Sequence, residues 1–138
     1  MGTEWLEPVP LDVSQHWPSE TLGAIIELHR DELPDLRGAR IALIGVPEQR
    51  AAAHDVADSV RRALYPLYWG PWDLRVVDLG NLSPGRDRVD TLVAVEELAL
   101  EVLRYGCIPV FFGAGSDWPL GMYRAYGKME QTINACLI

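Results

Sequence analysis

Apolar residues along this chain fall into two kinds of pattern that take turns. Strand-like runs rich in apolar residues occupy Arg40–Pro47, Leu74–Gly80 and Cys107–Phe112, and a further run covers Thr132–Ile138. Such runs show no alternation, which is the signature of strands covered on both faces, as in a parallel sheet. Between them, apolar positions recur at helical spacing. Leu22, Ile25, Ile26 and His29 predict a helix N-capped by Ser19 and ended by Pro34. Val56, Val60, Ala63 and Leu64 predict a second helix over Asp55–Tyr65, with Asp58, Arg61 and Arg62 opposite and Pro66 as its stop. Leu92, Val95, Leu98, Ala99, Val102 and Leu103 make one stripe of a long helix over Thr91–Tyr105, capped by Asp90 or Thr91, with Gly106 at its C′ position. A last helix is predicted over about Trp118–Tyr126.

Strands alternating with helices specify an α/β fold: three layers, α/β/α, around a mainly parallel sheet with right-handed crossovers. Residues 1–39 read as an N-terminal arm plus helix, with Trp5 and Trp17 as anchors among Pro8, Pro10 and Pro18. Residues 40–138 read as one α/β domain. The chain stops on Ala135-Cys136-Leu137-Ile138, inside an apolar run, and the expectation is that the domain is incomplete, a fragment or truncated product.

In such sheets, ligands bind beyond the carboxyl ends of strands, where loops run into helix N-termini. The third strand leads directly into Gly113-Ala114-Gly115-Ser116-Asp117-Trp118, so Gly113, Gly115, Ser116 and Asp117 are the candidate binding residues. This is not a dinucleotide fingerprint, because Trp118 occupies the place of its third glycine. Asp117 would repel an anion held at the helix start. Tyr65, Tyr68, Trp69 and Trp72 crowd a Pro- and Gly-bearing segment and read as packing under a loop rather than as a seat for a planar ligand. His16, His29 and His54 have no evident nucleophile partner.

Composition narrows the partners. A net charge of −8, from 12 basic and 20 acidic residues, excludes a phosphate-backbone partner such as nucleic acid. The apolar runs are far shorter than the roughly 20 residues of a membrane helix. Cys107 and Cys136 each lie in an apolar run without metal-ligand spacing and read as buried reduced thiols, and the N-terminus lacks a secretory signal, so the expected location is cytoplasmic.

Three stretches, Ala42-Leu43-Ile44-Gly45-Val46-Pro47-Glu48, Val76-Val77-Asp78-Leu79-Gly80-Asn81 and Gly106-Cys107-Ile108-Pro109-Val110-Phe111-Phe112-Gly113, together resemble the ureohydrolase family of arginase, agmatinase and formimidoylglutamase, most closely its formimidoylglutamase-like branch. The resemblance runs from about Arg40 to the end and implies the N-terminal half of an arginase-like α/β/α domain. In that family a pair of manganese ions activates a bridging water that hydrolyses a guanidinium or amidine C–N bond. The family's third strand is followed by Gly-Gly-Asp-His-Ser, whose His is a first metal ligand. Here Gly115 stands in place of the Asp and Ser116 in place of the His, and a serine hydroxyl is a poor ligand beside imidazole. The family's other ligand motifs fall beyond Ile138. No metal ligand is therefore assigned, and manganese enters only as the family's cofactor. Two functions follow: a catalytically silent binding or assembly domain that self-associates or pairs with a missing C-terminal half, or a fragment of an active metal-dependent hydrolase.

Overall fold

The structure, a computed structural model, describes residues 2–10, 16–47, 55–83, 88–113 and 118–130. In chain order the elements are a 3-10 turn (Gly2–Trp5), β1 (Leu6–Glu7), α1 (Leu22–Ile25), β2 (Glu27–Leu28), β3 (Ile41–Val46), α2 (Asp55–Leu64), β4 (Val76–Leu82), α3 (Arg88–Arg104), β5 (Ile108–Gly113) and α4 (Pro119–Lys128). β3 lies between β4 and β5 and is parallel to both. The far edge of β4 is shared: β2 pairs with its first half in parallel and β1 with its last residues antiparallel. All seven residues of β4 are buried, as in a strand of a parallel sheet covered on both faces.

Strand alternation sends side chains to two separate cores. Ala42, Ile44 and Val46 of β3, with Val77 and Leu79 of β4, pack against Val95, Leu98, Ala99 and Val102 of α3 and Ala125 of α4. Leu43 and Val76 point the other way, into a core with Tyr65, Val9, Leu22 and Ile26 that Leu64 of α2 flanks. The sheet thus lies between α2 on one side and α3 with α4 on the other, the expected layered α/β arrangement with a mostly parallel sheet. α3 closes with two bonds, Gly106 N–H to the Leu103 carbonyl and Cys107 N–H to the Val102 carbonyl, with Gly106 at φ +75°, the Schellman arrangement that a C′ glycine permits. Gly121 lets α4 cross close to α3: a Cβ there would sit 2.8 Å from the Leu92 carbonyl oxygen.

The helix expected after Ser19 is a single turn. Thr21 precedes it, and its hydroxyl donates to the Pro18 carbonyl at 2.6 Å instead of capping. The N–H groups of Leu22 and Gly23 donate to the carbonyls of Leu67 and Tyr65, and Ile26 is extended at φ −68°, ψ 138°. Glu27 and Leu28 then join the sheet beside Val77 and Asp78. The physical reason lies in β4. A strand buried on both faces has two edges of backbone donors and acceptors to satisfy, β3 serves one, and the segments before it in sequence serve the other. The N-terminal residues read as an arm contribute β1 for the same reason. The long helix begins at Arg88, three residues before Thr91. The apolar run Thr132–Ile138, the thiol of Cys136 and the loop carrying His54 lie outside the described residues.

Candidate functional site

Asp78 is the one charged residue of the fully buried strand β4. A buried carboxylate persists only when paired and fully hydrogen-bonded. Its partner is Arg61 of α2, whose Nε donates to Oδ2 and Nη2 to Oδ1, both at 2.8 Å. Nη1 donates to Asn81 Oδ1 at 2.6 Å and to Asp58 Oδ1 at 3.4 Å, and Nη2 also reaches the Gly80 carbonyl at 2.9 Å. All five guanidinium N–H groups are used. The Phe112 ring of β5 lies 5.1 Å from Arg61 Cζ, within cation–π range. Asp78 is equally committed: besides the two guanidinium bonds it accepts the Tyr65 hydroxyl at 2.5 Å and the Gly80 N–H at 3.0 Å.

Burial is the largest influence on Arg61 and works against its charge, but the hydrogen bonds and the charge of Asp78 outweigh it and hold its pKa above the ordinary value. Tyr65 is pushed well above the ordinary phenol range, first by burial and then by the Asp78 carboxylate. A bidentate Arg–carboxylate pair of this kind is held by geometry as much as by charge.

A bulge in β4 makes the cluster possible. Leu43 of β3 pairs with Asp78 but Gly45 pairs with Asn81, so β4 carries one extra residue. That residue shifts the alternation, and Asp78 and Asn81 both face α2. Gly80 supplies the bend at φ +89°, and a Cβ there would lie 1.9 Å from the Glu7 carbonyl oxygen of β1. Opposite it, Gly45 leaves the room that the Asn81 amide fills, since a Cβ would meet Asn81 Oδ1 at 1.9 Å. His29 completes the bulge: its backbone N–H donates to the Asp78 carbonyl, and its Nδ1, as the donor, reaches the Leu79 carbonyl at 2.8 Å. His29, expected on the face of a helix, is instead buried beside the strand and structural.

The sequence reading placed Arg61 on the solvent side of its helix, and this is overturned. Ala57, Arg61 and Tyr65, four residues apart, are the fully buried face, while Val56 is 45% exposed. Apolar periodicity weights Val56 and Val60 and ignores an Arg that is buried through a strand partner. The signal available was Asp78 itself, a charge inside an apolar strand that demands a cation.

Of the four candidate residues, the structure places Gly113 at the carboxyl end of β5 beside Val46 of β3. Its φ of +146° and a hypothetical Cβ only 2.1 Å from the Val46 carbonyl oxygen explain the glycine by close backbone approach alone. Gly115, Ser116 and Asp117 lie outside the described residues. Trp118, at the boundary of α4, stacks obliquely on Phe111 with ring centroids 6.0 Å apart, and its indole N–H is buried without a partner among the described residues. The aromatic segment after α2 divides: Tyr65 is buried in the polar cluster and Trp69 packs partly into the core, but Tyr68 and Trp72 are 73% and 65% exposed rather than packed under a loop. Cys107 is a free buried thiol, pushed up in pKa by burial.

Among the described residues no group of three or more His, Cys, Asp or Glu side chains is placed to hold a metal ion. Asp78, the buried acid among the described residues, has its acceptor sites occupied by Arg61, Tyr65 and Gly80 and offers none to a cation. No helix among the described residues is long and apolar enough to cross a membrane.

No protein-family model and no curated protein matches the chain. Solved structures do. A hypothetical agmatinase from Burkholderia thailandensis superposes with a TM-score of 0.52 at 24% identity, over 69% of this chain and 35% of its own. The agmatine ureohydrolase of Thermoplasma volcanium superposes with a TM-score of 0.53 at 18% identity, over 79% of this chain and 39% of its own. The fold is agmatinase-like. At these identities the likeness is one of architecture, and the chain spans well under half the length of either agmatinase chain. The mixed α/β architecture with a mostly parallel sheet is the one that the resemblance implied.

Proposed function

We propose that this chain is an arginase-like domain of the ureohydrolase superfamily, nearest its formimidoylglutamase-like branch, and that in this form it carries no manganese hydrolysis of its own. The observation that carries the reading is the exit of β5. A strand in an agmatinase-like sheet leads through Gly113 into Gly115, Ser116 and Asp117, where the family's pattern has an Asp–His pair. Serine in place of the imidazole removes the first nitrogen donor. The domain reading stays with it: residues 1–39 as the lead-in segment and 40–138 as the α/β unit, in the cytoplasm, acting by self-association or by pairing with a C-terminal half and not by binding nucleic acid.

The test is elemental analysis after dialysis against manganese, with assays for release of urea, ammonia or formamide from guanidine and amidine substrates. The expected result is less than one bound manganese per chain and no release. Two retained ions per chain would sink the reading.

A second reading is favoured by one observation, the 35–39% of agmatinase length that the chain spans. In it, the chain is part of an active hydrolase of linear amidines or guanidines. A longer polypeptide containing these residues would then retain two manganese ions and release product.

A further inference from the structure

We draw no further inference here: the strongest candidate, the exposed aromatic pair Tyr68 and Trp72 flanking Gly70 in the segment after α2, carries nothing because nothing in the structure shows what covers this surface patch.

Discussion

Arg61 and Asp78, 17 residues apart in sequence and both with fully buried side chains, meet through two parallel N–H···O bonds of 2.8 Å. The pair ties α2 to β4, and through Phe112 the guanidinium also touches β5. Replacing one partner leaves an uncompensated buried charge, which costs about 3–5 kcal/mol. Arg61→Leu and Asp78→Leu are each expected to destabilise by that amount in urea unfolding, and the double variant by much less than their sum. Additive losses would mean that the two groups do not act as a unit.

Tyr65 donates its hydroxyl to the same carboxylate, and Tyr65→Phe is expected to cost about 1.5–3 kcal/mol, the range for a hydrogen bond to a charged group. Its phenol is raised in the folded state, so the stability it contributes is complete below the ordinary value near 10 and is lost as the pH climbs beyond that toward the folded value. Of the five tyrosines, one is expected to stay protonated in an absorbance titration until alkaline unfolding, and the Phe variant is expected to lack that last step.

On the surface, the Arg37 side chain and backbone N–H both bond Asp35 and lower its pKa to about 2. A depressed carboxylate contributes stability above the unfolded value, about 3.9, and loses it as pH falls toward 2. Because the pair is exposed, the expectation is a local one: a carboxyl NMR titration midpoint near 2 that returns to the ordinary range in Arg37→Ala, with little change in global unfolding.

Gly80→Ala places a Cβ against the Glu7 carbonyl at a φ of +89°. The expected cost is about 1–3 kcal/mol from backbone strain alone. Hydrogen exchange is expected to show the Ser83 and Val9 amides, which bond Trp5 and His29, opening well before Val77. Uniform loss of protection would place the damage in the whole sheet instead.

The strands and helices that carry periodic apolar residues were readable from the chain within a few residues, and so was the glycine stop at Gly106. Leu22–His29 was not, because its helical spacing competes with the far edge of β4, which β3 leaves open, and satisfying that edge outweighs a four-residue propensity. The candidate turn was legible only as a position; Gly113 proved to be explained by contact with Val46, while Gly115, Ser116 and Asp117 fall outside the described residues.

By itself the amino-acid order settled that a parallel sheet would form, where its strands run, and that no imidazole stands at residue 116, since these depend on local pattern and residue type. Only tertiary structure decided that Arg61 turns inward, that β4 bulges at Gly80, and that residues before β3 complete the sheet edge. Those outcomes depend on pairing groups far apart in sequence. A buried charge or an open hydrogen-bonding edge finds its partner only once the chain has been brought together.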